Sequence, residues 1–355
     1  MKVGLIGLPG SGKTTCFNLV TGRAAQDAQY GSAEAQIAVV KVPDARVERI
    51  AEIFGSGKFT HPEVVFVDLM AMHKGEDGAA REQNLNRVVG DADAFALVIQ
   101  CFGDLDHEGN PLDPRADLET LLLEITITDL AVVERRVKRL DAEEKAQRDK
   151  DAWEHHLLER CVEQLGAGGL VRDMTLEPDE ERHLRGFSLL TMRPLLVVLN
   201  VAEDDLEAER GAGAREAAEA AGLSHITIAA ELESEIAELD EDERGEFLAE
   251  YGLSELAHER FIRACYDLLD VITFFTANEN EARAWTISTG TSARDAAGKV
   301  HSDMYDGFIR AEVTPFDQLD ALGSMAACKE RGATRVEGRD HIVEDGDILQ
   351  IRFSR

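Results

Sequence analysis

The stretch "GLPGSGKTT", residues 7–15, decides how the rest of the chain is read. It fits the spacing G-x-x-x-x-G-K-[ST], with Gly7, Gly12, Lys13 and Thr14 in the specified places. Glycines there let backbone N–H groups curl around phosphate oxygens, the lysine ammonium reaches the β and γ oxygens, and the threonine hydroxyl ligates Mg²⁺. The surrounding pattern is the one such a loop requires: an apolar run, "KVGLIGL" (2–8), precedes it and an amphipathic stretch, "TTCFNLVTG" (14–22), follows. Strand, glycine-rich turn and helix in that order aim a helix N-terminus at the phosphates. Gly10, Ser11, Gly12, Lys13, Thr14 and Thr15 are therefore the expected phosphate-binding residues, with Lys13 also assisting catalysis and Thr14 on the metal.

Outward from the loop, "EVVFVDLMA" (63–71) is an apolar run that Asp68 terminates. A carboxylate at the end of a second strand is what holds the water shell of a magnesium ion. On its own such an Asp more often caps a helix or starts a turn; beside a phosphate loop the metal role is favoured. Two further apolar runs, "AFALVIQCF" (94–102) and "LLVVLN" (195–200), complete an alternation of strands and helices. The pattern predicts an α/β fold built on a parallel sheet, with nucleotide bound beyond the carboxyl ends of the strands. Asn200 sits at one of those ends and Glu203 three residues on, where a guanine-reading loop has Asn-Lys-x-Asp. Here Val201 replaces the lysine and the carboxylate is one methylene longer, so the two-pronged grip on guanine is weakened by orders of magnitude. An Asn amide still suits adenine; Asn200 as an N-cap after the strand is the alternative.

The 355 residues have room for two or three domains, and a hydrophobic fraction of 44% suits packed cores. No apolar run reaches membrane-spanning length, and "MKVGLIGLPGSGK" meets glycines and a lysine before a signal-peptide core builds up. A cytoplasmic protein with no membrane partner is expected. The 69 Asp and Glu against 38 Lys and Arg leave a net charge of -31, which repels nucleic acid over most of the surface and excludes sequence-specific DNA as a partner. Cys16, Cys101, Cys161, Cys265 and Cys328 form no C-x-x-C pair and are read as reduced thiols. Residues 116–192 are helical in pattern: Leu130, Val133, Val137 and Leu140, then Trp153, Leu157, Cys161 and Leu165, recur at helical spacing. The glycines of "GAGGLVRD" (166–173) break the stripe and "LEPDEERHLRGFSLLT" (176–191) resumes it, which predicts an inserted antiparallel arm. His155 and His156 lie on a charged helix without a spaced metal partner and take no site role. From 271 on, "VITFFTANENEARAWTI" reads as a hairpin, "ARDAAGKVHSDMYDGF" (293–308) as a helix, and "DGDILQIRF" (345–353) as a final strand after an Asp-Gly turn.

With these parts in place, the sequence resembles the YchF family of Obg-like ATPases, P-loop proteins of the GTPase superfamily that favour ATP. The resemblance runs over essentially the whole chain. It is carried by "GLPGSGKTTCFNLVTG" (7–22), "VVKVPDARVERIAEIF" (39–54), "NVAED" (200–204), "ELESEIAELDEDERGEFLAEYGL" (231–253) and, most specifically, "ARAWTISTGTSARDAAGKVHSDMYDGFIRAEV" (282–313) and "VEGRDHIVEDGDILQIRF" (336–353). It implies a P-loop nucleotide-binding domain at 1–115 and 193–270, a coiled-coil-like helical insertion at 116–192 and a C-terminal TGS domain, a ubiquitin-like β-grasp module, at 271–355. It also implies Mg²⁺-dependent hydrolysis of ATP, with GTP as the alternative substrate, and contacts with the ribosome or other translation components through the arm and the TGS domain.

Two departures bear on that activity. The family pattern has Asp-x-x-Gly after the second strand, and this chain has Asp68, Leu69, Met70 and Ala71; alanine keeps the N–H but costs about 1 kcal/mol if φ must turn positive. In "YGSAEAQIAV" (30–39) Ser32 is the nearest replacement for the threonine of switch I. A nucleotide-binding protein with little or no hydrolysis is therefore the second alternative. Met72 stands where other GTPases carry the water-orienting glutamine, in keeping with the family's hydrophobic residue. The resemblance points instead to a histidine in the loop after "VIQCF", and His107 in "CFGDLDHEGN" (101–110) matches it; a solvated loop histidine beside Asp106 and Glu108 is the bland alternative.

Overall fold

The computed structural model describes residues 1–22, 36–68, 92–142 and 152–354. Its strands in chain order are β1 (Lys2–Gly7), β2 (Gln36–Lys41), β3 (Phe59–Thr60), β4 (Glu63–Asp68), β5 (Ala94–Cys101), β6 (Leu195–Val201), β7 (Ser224–Ile228), β8 (Val271–Ala277), β9 (Ala282–Ser288), β10 (Phe308–Pro315), β11 (Arg335–Glu337) and β12 (Asp347–Phe353). The helices that matter to the argument are α1 (Lys13–Thr21), α2 (Ala45–Phe54), α3 (Pro114–Asp141), α4 (Ala152–Gly166), α5 (Ala212–Ala220), α6 (Ala230–Glu238), α7 (Ala257–Leu269) and α8 (Ala293–Val300). They form two compact units, one of residues 2–38 and 65–268, the other of 39–64 and 269–355 together with Met1.

The first unit is the expected α/β structure. Its sheet has the order β2-β4-β1-β5-β6-β7, and β4, β1, β5, β6 and β7 run parallel. Every residue of β5 and β6 is buried, as strands covered by helices on both faces must be, which is why they read as unbroken apolar runs. Phe95, Leu97, Leu195, Val197 and Leu199 pack against Leu118, Leu121 and Ile125 of α3 and Ala214 and Ala218 of α5.

Helix α3 does two jobs. Asp113 caps it, accepting from the Ala116 N–H at 3.1 Å, and Pro114 occupies its first turn, where a missing N–H is harmless. Its first half lies on the sheet; its second half, through Val133 and Leu140, packs with Leu157, Leu158, Cys161 and Leu165 of α4. The arm therefore has no seam at residue 116: it is the outer half of a helix rooted in the core of the first unit. Asp129 ties the return of the chain to that root, its carboxylate accepting from the N–H groups of Leu190 and Thr191 and from the Thr191 hydroxyl at 2.6–3.0 Å. Trp153, expected in the buried stripe, is half exposed and meets His183 edge-on.

The second unit has the sheet order β11-β10-β12-β8-β9-β3, with β8 and β9 an antiparallel hairpin, β12 parallel to β8, and β10 antiparallel to β12. A hairpin whose first strand pairs with the parallel last strand is the β-grasp arrangement. Helix α8 packs Ala293, Ala296 and Ala297 on Phe274, Phe308 and Val313 of this sheet. Here the division of the chain differs from expectation. Residues 39–64, assigned by sequence to the nucleotide-binding domain, fold with the C-terminal strands: α2 lays Val47, Ile50 and Ala51 on Phe275, Ala284 and Ile348, and β3 pairs with β9. Arg46 anchors that helix by donating to Asp44 and Asp345 while its guanidinium lies 5.2 Å from the centre of the Phe275 ring. Among the described residues no helix is long and apolar enough to cross a membrane.

Candidate nucleotide site

The parallel register brings Gly7 of β1 beside Val98 of β5, Leu5 beside Asp68 of β4, and Gln100 of β5 beside Asn200 of β6. All the chemistry-bearing residues thus gather at the carboxyl ends of neighbouring strands. The phosphate loop leaves β1 and enters α1 at Lys13, with Gly12 as N-cap at φ 77° and Gly10 at φ 83°, a region of φ that L side chains rarely enter. Space forbids a side chain there as firmly as the dihedral does. A Cβ on Gly12 would stand 2.1 Å from Asn200 Nδ2, and one on Gly10 3.0 Å from the His107 Cβ.

Lys13 and Thr14 converge on one carboxylate. Lys13 Nζ donates to Asp68 Oδ1, and the Thr14 hydroxyl donates to Asp68 Oδ2 at 3.0 Å. Both charged partners are buried. Burial lowers the Lys13 ammonium to about 8, leaving it protonated at neutral pH. Behind it, Cys16 is also buried, and loss of solvent with Glu233 nearby pushes its thiol up to about 12, so it is neutral and inert. The set fits a magnesium nucleotide: a carboxylate and a hydroxyl are the hard oxygen donors that Mg²⁺ takes, and an ammonium sits beside them for the phosphates. The Ser11 hydroxyl, also in the cradle, is buried without a hydrogen-bond partner within the protein. Thr15, expected to touch phosphate, is exposed on α1.

The base side is built differently. Asn200 Nδ2 donates to the Ser11 carbonyl at 3.0 Å, and Asn200 Oδ1 accepts from the Ala230 N–H at 3.2 Å. The side chain expected to face the base braces two backbones instead, one in the phosphate loop and one at the start of α6. Glu203 opens the turn at 203–205 and is exposed, while Asp205 caps the chain beyond it by accepting from the N–H groups of Glu209 and Arg210. Val201, in the place of the guanine-packing lysine, is buried in the core of the sheet. Glu233 and Arg260 were not singled out by sequence. Glu233, fully buried, accepts from the Ala229 N–H at 3.1 Å and from Arg260 at 2.7 Å, which fixes the entry of α6. A lone acidic residue in an acidic helical stretch carries no signal that it will be buried.

His107 stands at the tip of the loop after β5, with its side chain 38% exposed and Nε2 3.9 Å from the Glu108 carboxylate. The structure brings it to Gly10, on the phosphate side of the site. Ser32 and the segment Leu69, Met70, Ala71 and Met72 lie outside the described residues. Gly10, Gly12, Lys13, Thr14, Asp68, His107 and Asn200 therefore share one end of the sheet, and Glu203 lies just beyond it.

Known proteins share this design. The family model described as YchF-GTPase_C, "Protein of unknown function (DUF933)", matches residues 271–354. A protein named "Ribosome-binding ATPase YchF" in Pasteurella multocida is 37% identical over 360 residues, covering 99% of each chain. Its namesake in Bacillus subtilis is 35% identical and covers 100% of this chain and 99% of its own. In solved structures, the Schizosaccharomyces pombe YchF GTPase superposes with a TM-score of 0.81 at 24% identity over 99% of this chain and 97% of its own, a likeness of fold. Sharing more than a third of its residues with relatives that it matches from end to end, 37% and 35%, this chain belongs to the YchF family.

Proposed function

We propose that the protein is a cytoplasmic, Mg²⁺-dependent nucleoside triphosphatase that prefers ATP and whose nucleotide state governs contacts with the ribosome. The observation that carries this reading is the convergence of Lys13 and Thr14 on Asp68 at the mouth of a glycine-lined loop. With Mg²⁺ bound, Thr14 Oγ1 and an Asp68 oxygen would hold it, and the ion would neutralise charge on the β and γ oxygens. Lys13 then transfers its hydrogen bond from Asp68 to the phosphates. The backbone N–H groups around Gly10 and Gly12 cradle the diphosphate, and His107 orients the water from the far side of Gly10.

Preference for adenine follows from what the base loop lacks. With Val201 buried in the core and Glu203 exposed, no lysine stem and no aspartate of standard length meets guanine. The names of the full-length relatives support ATP as substrate and the ribosome as partner. The helical arm of α3 and α4 and the C-terminal β-grasp unit, read as a TGS module, are the surfaces that would meet it.

Calorimetry with Mg²⁺ and non-hydrolysable ATP and GTP analogues, beside ADP and GDP, tests the proposal. The expected result is adenine preference with tighter triphosphate binding. Guanine preference would replace ATP by GTP as substrate, and equal affinity for di- and triphosphate would reduce the protein to a nucleotide binder without a switch.

A further inference from the structure

β5 is apolar from Ala94 to Ile99 and fully buried, yet its penultimate residue is Gln100, only 8% exposed. A buried amide at that place needs partners, since an unmatched polar group costs on the order of 1–3 kcal/mol. Both bonds of its amide nitrogen go to one loop. Gln100 Nε2 donates to the Phe102 carbonyl at 3.1 Å and to the Leu105 carbonyl at 3.1 Å. Its oxygen faces the other way, 3.5 Å from where a Cβ on Gly10 would stand, and the His107 Cβ lies 3.0 Å from the same point. Gln100 and His107 thus border one small volume above the phosphate loop.

The loop that Gln100 grips is stiff. Leu105 bridges Pro111 in antiparallel fashion, the Asp106 N–H donates to the Asn110 carbonyl at 2.8 Å, and the Leu112 N–H donates to the Asp104 carbonyl at 3.0 Å. Asp106 closes the tip: it accepts from the N–H groups of Glu108 and Asn110 and from the Asn110 amide at 2.8–3.0 Å. These bonds hold its carboxyl below the usual range, so it stays ionised and the closure persists at neutral pH. A small closed hairpin carrying His107 moves as a body, and the bonds from Gln100 at its base decide where the imidazole stands.

We propose that Gln100 is a positioning residue for hydrolysis: its buried amide fixes the 102–112 loop so that His107 is held over Gly10 of the phosphate loop. The inference rests on the reading of His107 as the water-orienting group. A misplacement of about 1 Å in such a group costs up to roughly 10²-fold in rate, whereas binding of the diphosphate by Lys13 and the loop N–H groups does not use His107.

The test is a double-mutant cycle on the full chain, following phosphate release and the affinity of a non-hydrolysable ATP analogue. Gln100→Leu should lower kcat by about 10- to 10²-fold with analogue affinity changed less than about threefold, and should cost nothing further in a His107→Ala background. Equal losses with and without His107, or an unchanged kcat in Gln100→Leu while His107→Ala is slow, would overturn the role of Gln100 and leave His107 in place. A normal rate in His107→Ala would overturn the reading of His107 itself, and Gln100 would fall with it. Analogue affinity reports whether each variant folds. Gln100→Glu supplies the second measure: it keeps the shape but faces two carbonyls with a carboxylate until protonated. Its kcat relative to the unmodified protein should therefore rise as pH falls, and a flat ratio would count against the hydrogen bonds as the cause.

Discussion

At the carboxyl edge of the parallel sheet, β1 and β4 deliver the phosphate side of the site while β6 and β7 deliver the base side, and the two are built from different materials. The phosphate side consists of glycine backbone at positive φ, one ammonium and one carboxylate, with Gly7 to Thr15 contiguous in the chain. The base side is a lattice of buried braces between remote residues: Asn200 spans from Ser11 to Ala230, and Glu233 from Ala229 to Arg260. A contiguous charged loop grips whatever carries phosphates. On the proposed reading affinity belongs to the first region, while the braces of the second offer the base no free group, so discrimination follows from what the base loop lacks.

The largest expected effect breaks the first region alone. Lys13→Ala removes the ammonium and leaves Asp68 buried without its partner, facing the incoming phosphates. Losing the ammonium's contact with the phosphates, with the Asp68 charge left beside them, costs about 4 kcal/mol of binding, so affinity for ATP and GTP analogues should fall by roughly 10³-fold, for both bases alike. Calorimetry or a fluorescent nucleotide titration reads the loss; retention of near-normal affinity would remove the phosphate loop from the account.

Asn200→Ala is the sharper probe because it touches both regions. It leaves the Ser11 carbonyl and the Ala230 N–H without their buried partner, costing about 2 kcal/mol of stability, read as a lower midpoint in urea. If Asn200 is a brace, affinity for adenine and guanine nucleotides should weaken together and their ratio should hold. A selective loss of adenine binding would show that the side chain reads the base directly.

How far each region could be read in advance follows from the same contrast. The phosphate loop was legible because its chemistry is local: spacing alone puts Lys13 and Thr14 on the first turn of a helix behind a strand. Asp68 was legible as the polar end of an apolar run. Asn200 was found by the same signal, but its work was not, because its partners lie 189 and 30 residues away and only the β1-β5-β6-β7 register brings them together. Gln100 was hidden for another reason: its partners, the Phe102 and Leu105 carbonyls, are only two and five residues on, but an amide at the end of an apolar run carries no signal that it will grip the loop beyond. Residues 45–54 entered only as a stretch that carries the resemblance; in the fold they form a helix, and nothing local says that Phe275 and Ile348, more than two hundred residues on, will cover its buried face. Periodicity reports that a face is buried, not against what.

A smaller effect separates the regions by pH. Without nucleotide the Lys13 ammonium is lowered by burial to about 8. Phosphate oxygens favour its charged form and so raise it on binding. Nucleotide affinity should therefore be full below about pH 8 and decline above it, approaching tenfold per unit, because binding must then take up a proton. The decline should be shared by adenine and guanine nucleotides between about pH 8 and 9, below the range in which guanine loses its own N1 proton. Affinity unchanged to pH 9.5 would show that Lys13 remains charged in the free protein.

The smallest expected effect is the one most often assumed to be large. Glu203→Asp restores the carboxylate length of a guanine-reading loop, yet it should shift the guanine-to-adenine affinity ratio by less than about tenfold. The carboxylate is only one part of that grip. Position 201 would have to send a lysine stem across the ring, and in this fold Val201 is 3% exposed, the last residue of β6 and part of the core beside Cys101. Substituting lysine there would bury an unpaired charge before it reached any ligand. Asn200 is tied at both ends of its amide, and Glu203 itself is exposed at the head of a turn, free to point to solvent whichever carboxylate it carries. On the proposed reading discrimination is set by where β6 stops and which of its residues face the core, and shortening one exposed side chain changes neither. A swing of 10² or more toward GTP in Glu203→Asp would mean that a single carboxylate reads the base without the rest of the grip, and would put the selectivity in one side chain.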